Sequence, residues 1–182
     1  MHSNTRFLAT GSLIVFLAAA ALPAQRGTLT QEQTDRRWEL ERELQSARIT
    51  AVSANQPMRV MFNCPSAQQY RMVELIGTPL TPAAADGVVG RCSTSTYPFP
   101  APDNNPISRP NNDGPLRLLP TLVTITTSTT IEFWPDGSAH TNTGGTNPWP
   151  PIASPGTNII LTRSGKTKTI LVNGIGKIQL IP

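Results

Sequence analysis

The sequence predicts an α+β fold, one long N-terminal helix followed by an antiparallel β-rich body, on three observations. Leu40, Leu44, Ala47, Ala51 and Val52 recur mostly at three- and four-residue steps, which places them on one face of a helix. After Pro57 the apolar period shortens to two, as strands require. Toward the C-terminus, Ser164-Gly165 and Asn173-Gly174 interrupt β-branched runs as tight hairpin turns do. A chain of 182 residues that is 38% hydrophobic can bury one core of ordinary size, so a single folded unit is expected over residues 27–182. Its 18 prolines and 13 glycines assign much of that unit to loops.

Residues 1–26 read as an apolar membrane or export segment. Arg6 precedes an apolar run from Phe7 to Leu22, and Leu22 and Ala24 are placed for a signal-peptidase cut before Gln25. The run is shorter than the roughly 20 apolar residues of a full bilayer span, so an export signal and a short retained stem both fit it. Either reading directs the N-terminus to a membrane. In an exported chain the two cysteines, Cys64 and Cys92, are expected to pair. A zinc site is not expected, because such sites want four ligands and His2 and His140 are the only histidines.

The helix is predicted over about 30–55. Thr30 with Gln33 forms a capping-box pattern at its start, and Asn55 before Pro57 gives a stop. Glu39 and Glu43 alternate with Arg36, Arg42 and Arg48 on faces assigned to water, while Trp38 either extends the apolar face or sits at a membrane surface, packing being the favoured reading. Leu40, Leu44, Ala47 and Ala51 would seat the helix on a sheet.

A β-rich head follows over 57–182. In MRVMFNC, Val60 and Phe62 share one strand face and Arg59 and Asn63 the other. In QYRMVEL, Tyr70 and Met72 oppose Val73 and Leu75, and Pro65-Ser66 turns between the two runs. From Gly77 to Pro120, stretches such as STSTYPFPAPDNNPISRPNNDGP offer little to bury and much that blocks a ladder, so this part reads as a long irregular surface insertion. Strand character resumes around Pro135-Asp136-Gly137, and a C-terminal meander closes the chain.

No catalytic constellation appears, and no cofactor is implied. His140, just after the PDG turn, reads as a surface histidine. NGIGK lacks the glycine spacing and following helix of a phosphate loop. After Asp136 the chain has no acidic residue, leaving Arg163, Lys166, Lys168 and Lys177 as candidate nucleic-acid contacts. Trp149 is the only aromatic residue there, so stacking on bases is scarcely available, and a solvated strand face is the favoured reading.

Taken in order, ELQSARITAVSANQPMRVMF, IEFWPDGSA and the closing ILVNGIGKIQL resemble the GspH/FimT family, minor pseudopilins of type II secretion systems and related minor type IV pilins. The strongest parts are Leu44 to Arg48 with Ala51, Phe133 to Gly137, and Gly176-Lys177-Ile178. The resemblance implies a long stem helix half in the membrane and a β-sheet head, with a structural role and no enzymatic activity. On that register Leu13 to Leu22 is the second half of the stem, and Pro23 corresponds to the family's helix-kinking proline. The chain departs from the family after Gly11, where Ser-Leu-Ile-Val-Phe carries no glutamate. The implied role is low-copy assembly with other minor pseudopilins, anchored in the inner membrane by a single pass with the head in the periplasm. The alternatives are a type IV pilus minor pilin binding DNA for uptake, and a cleaved soluble periplasmic or secreted β-domain.

Overall fold

The computed structural model describes residues 25–102, 110–126, 130–142 and 145–181, with helix side chains described from Glu39 onward. The apolar run Phe7 to Leu22, and with it the nature of the N-terminal segment, lies outside the described residues, as does the Trp38 side chain. Among the described residues no helix is long and apolar enough to cross a membrane.

Helix α1 spans Gln25–Ala54. Thr30 and Gln33 therefore lie inside it and are not its cap. Between Gln25 and Thr30 the strongest residue against helix is Gly27, at a cost of only about 1 kcal/mol, and the threonines cost less. The other end follows expectation. Asn55 takes the left-handed conformation (φ 51°), its N–H donates to Val52 O at 3.4 Å, and the Gln56 N–H donates to Ala51 O at 3.2 Å. This double closure satisfies two orphan carbonyls, and Pro57 prevents any continuation.

Leu40, Leu44, Ala47 and Ala51 are fully buried. Val52 is 51% exposed, against expectation, because one residue past Ala51 is a turn of about 100° away from the stripe. Glu43, expected to be wet, is buried beside Leu44. Arg117 reaches over it, Nε to Glu43 Oε2 at 3.5 Å, and also approaches Glu39 at 4.0 Å. Burial pushes the Glu43 carboxyl above its usual range, and Arg117 opposes that shift.

Two antiparallel sheets receive the helix. The first has the order β3-β2-β1-β5-β6, built from β1 (Met58–Phe62), β2 (Gln69–Glu74), β3 (Arg117–Leu118), β5 (Ile131–Phe133) and β6 (Ala139–Thr141). The second has the order β4-β7-β8-β9, from β4 (Thr124–Ile125), β7 (Thr157–Arg163), β8 (Lys166–Val172) and β9 (Ile178–Ile181). Val60 stands between Met72 and Ile131 in the first sheet, and Ile170 between Ile159 and Leu180 in the second. With the helix stripe these residues form one core. Strand alternation explains the selection, since Met58 and Val60 face the helix while Arg59 and Met61 face away.

The face that points away is not wet. Part of the Gly77–Pro120 segment covers it, as two 3₁₀ turns, Ala84–Gly87 and Val89–Cys92, while strand β3 from the same segment extends the sheet at the edge of β2. Asp86, Arg91, Cys92 and Asp113 from this segment are buried. The segment is irregular and mostly at the surface, as expected, but a few of its residues dock inward, and they are largely charged ones that a count of apolar residues does not reveal. The disulfide Cys64–Cys92 ties it to the end of β1, with the Cα atoms 5.6 Å apart. By chain-entropy reasoning, closing a loop of this length contributes about 3–4 kcal/mol. Cys92→Ser is expected to lower the urea midpoint accordingly while leaving α1 helical, checked by denaturation followed by far-ultraviolet circular dichroism.

Candidate functional site

Three segments far apart in the chain meet at one point. Trp134 and Ser138 close the turn after β5, with the Gly137 N–H donating to Trp134 O at 2.8 Å and Gly137 at φ 81°. The Gly137 carbonyl accepts from Arg48 Nε of the helix at 3.0 Å. Gly176, from the β8–β9 loop, lies against the same carbonyl. A Cβ at Gly176 would stand 2.1 Å from Gly137 O and 2.6 Å from Arg48 Nε, and its φ is 72°, so side-chain space and backbone conformation both demand glycine. Arg48 is thus half-buried at this junction and not on a wet face.

The same demand lengthens the turn read as Asn173-Gly174. Asn173 pairs with Lys177 through Asn173 N–H to Lys177 O at 3.1 Å, and Gly176 N–H returns to Asn173 O at 2.9 Å. Three residues, Gly174 to Gly176, form the loop. Ser164 and Gly165, both at positive φ, form the expected two-residue turn. Gly174 completes the junction: its carbonyl accepts from Ala139 N–H at 3.0 Å, tying the second sheet to β6 of the first.

Beside this junction His140 is 5% exposed, not a surface residue. Its ring stacks on Trp134 with centroids 3.7 Å apart, Nδ1 lies 2.8 Å from Trp149 O, and Nε2 lies 2.8 Å from Ser138 Oγ. Sequence reasoning missed this because burial of β6 depends on the 145–152 segment folding over it.

The outer face of the first sheet holds a buried ionic layer. Arg59 Nε donates to Glu132 Oε2 at 2.6 Å and Nη1 to Asp86 O at 2.7 Å, with the guanidinium 4.0 Å over the Trp149 ring. Trp134 Nε1 donates to the other Glu132 oxygen at 2.6 Å. Arg91 grips Asp113 with two nitrogens and donates to Glu74 O at 2.8 Å. Arg71 donates to Gly114 O at 2.7 Å and lies 3.8 Å from Asp113. Burial pulls the Arg71 pKa below its ordinary value, and Asp113 opposes this. Asp86 accepts from the N–H groups of Ile76, Gly77 and Ala83 at 2.7–2.9 Å, pinning the insertion's first turn. The available signal was Arg59 and Arg71 alternating with Met61 and Val73 on the second face of apolar strands, a face that, once covered, requires buried acids to meet them.

The basic residues divide. Arg163, Lys166 and Lys168 flank a small groove floored by Leu119, Val123 and Leu161 at the β7–β8 turn. Lys177 sits in the loop at the other end of β8, about 20 Å away by the rise of a seven-residue strand. They do not form one patch. Among the described residues no group of three His, Cys, Asp or Glu side chains is placed to hold a metal ion.

The chain is similar to a type IV minor pilin. That protein is FimU of Pseudomonas aeruginosa strain PAO1, matched in two crystal forms at 15% identity. In one the match covers 87% of this chain and 91% of that chain at a TM-score of 0.46; in the other it covers 79% and 88% at 0.43. The chain matches no protein-family model and no curated protein.

Proposed function

We propose that this chain is a minor pseudopilin of a type II secretion system, a structural subunit that joins the periplasmic pseudopilus at low copy. The observation that carries the reading is the junction: the three segments through which the sequence resembles the GspH/FimT family are the three that meet at Arg48, Gly137 and Gly176. A stem bears load only if its angle to the head is held. A guanidinium clamped on a turn carbonyl, with a glycine closing behind it, holds that angle without performing chemistry. In this reading the N-terminal segment anchors the chain in the inner membrane, the head faces the periplasm, and the partners are other minor subunits. The chain is not an enzyme.

Deleting the gene in its own cell tests the reading. Secreted proteins should be lost from the medium and restored by the wild-type chain. Intact secretion with loss of DNA uptake would replace this reading with the uptake pilin. In that event the full chain should bind DNA with an affinity that falls steeply with salt and collapses when Lys166 and Lys168 become alanine. An N-terminus cut before Gln25 would make it a soluble periplasmic domain.

A further inference from the structure

The hydrogen bonds around His140 have one proton too few for a neutral ring. Nδ1 faces the Trp149 carbonyl at 2.8 Å, and a carbonyl only accepts, so Nδ1 carries a proton. On the other side Ser138 Oγ lies 2.5 Å from Asp136 Oδ1 and 2.8 Å from His140 Nε2. An ionised carboxylate also only accepts. Hydrogen bonds from Ser138, with the histidine adding to them, hold the Asp136 carboxyl below its usual range. The single hydroxyl proton of Ser138 is therefore taken by Asp136, and the contact to Nε2 is a hydrogen bond only if Nε2 donates. A ring protonated on both nitrogens satisfies every contact.

We propose that His140 is a proton-operated latch: with both nitrogens protonated it completes a relay from Trp149 through Ser138 to Asp136, and loss of the Nε2 proton frees the turn that seats the helix. When Nε2 becomes an acceptor, it competes with Asp136 for one proton. Whichever loses faces an oxygen or nitrogen lone pair at close range, so the Trp134–Ser138 turn opens. That turn presents the Gly137 carbonyl to Arg48. Protonation at the head is in this way coupled to the seat of the helix.

The charged groups around the ring are few. Asp136 acts through Ser138, and Glu132 stands opposite His140 in the β5–β6 register, paired with Arg59 and Trp134 Nε1. Arg59 in turn lies over Trp149, whose carbonyl His140 bonds. Beyond the turn is Arg48. Glu132 is already neutralised by Arg59, which leaves Asp136 as the carboxylate that the ring proton serves.

The inference does not depend on the pseudopilin reading, and its test requires no assembly. Full-length chain in detergent micelles, labelled with ¹⁵N-histidine, is titrated from pH 5.5 to 8.5. Nδ1 should stay protonated throughout while Nε2 loses its proton, and amide exchange at Gly137 and Ser138 should accelerate with the same midpoint. Ser138→Ala removes the relay without emptying the core. The wild-type thermal midpoint should exceed that of this variant by about 2–4 °C at pH 5.5, and the difference should shrink at pH 8.5, where the Ser138 hydroxyl serves one acceptor only. Loss of the Nδ1 proton first, or a wild-type-to-variant difference that does not change with pH, would overturn the latch.

Discussion

Leu44→Asp is expected to unfold the protein at neutral pH. Leu44 is fully buried in the core shared by the helix and both sheets. Truncating a buried leucine costs about 2–5 kcal/mol, and burying an unpaired carboxylate adds several more. Together these approach the whole stability of an ordinary domain. The neighbouring Glu43 shows which way the environment acts, since burial raises its pKa even with Arg117 beside it. An aspartate at position 44 has no such partner. Its folded-state pKa would lie above the unfolded value, so the folded variant binds more protons than the unfolded chain and gains stability as pH falls. Circular dichroism melts should therefore show no cooperative transition at pH 7 and a partial one near pH 4. Arg42→Ala, on the exposed face, should melt like wild type. A cooperative wild-type melt from Leu44→Asp at pH 7 would show that this stripe does not hold the helix.

Asp113→Ala is expected to cost about 3–5 kcal/mol, the penalty for breaking a buried ion pair from one side. Asp113 receives two nitrogens of Arg91, lies near Arg71, and accepts the Glu74 N–H at 2.8 Å. Removing it strands two fully buried guanidinium groups and an orphan backbone donor. The double variant Arg91→Met with Asp113→Leu should be markedly less destabilised than Asp113→Ala, because apolar groups of similar volume can replace a buried pair at little cost. Urea denaturation of the single and double variants measures this. A double variant as unstable as the sum of its single replacements would mean that the layer is held by shape and not by charge.

The parts legible in the sequence were those built on apolar periodicity or on backbone conformations that demand particular residues. The stripe Leu40, Leu44, Ala47 and Ala51 is a periodic signal, and Met58–Phe62 with Gln69–Glu74 is another. The helix stop at Asn55 and the Ser164-Gly165 turn need positive φ, and the residues present tolerate it. The pairing of Cys64 with Cys92 followed from the expectation of export and from the absence of other cysteines in the sequence. Each of these signals is local, or is counted over the whole chain, and survives without knowledge of what packs where.

The tertiary structure alone decided the rest, and the physical reason is common to all of it. Charged side chains look the same in sequence whether they meet water or each other. Arg59, Arg71, Glu74, Arg91, Asp113 and Glu132 are buried, each with a partner 17 to 73 positions away. Such partners are brought together only when the insertion folds over the sheet. Val52 and Glu43 exchanged their expected surroundings because the width of a helical stripe is set by what packs on it, here with Arg117 crossing from β3. His140 became buried, and Arg48 found Gly137, only where the two sheets close on the helix. Periodicity in the sequence determined which faces had to be covered. What covers them, and the junction that results, is determined by contacts between segments that no local pattern connects.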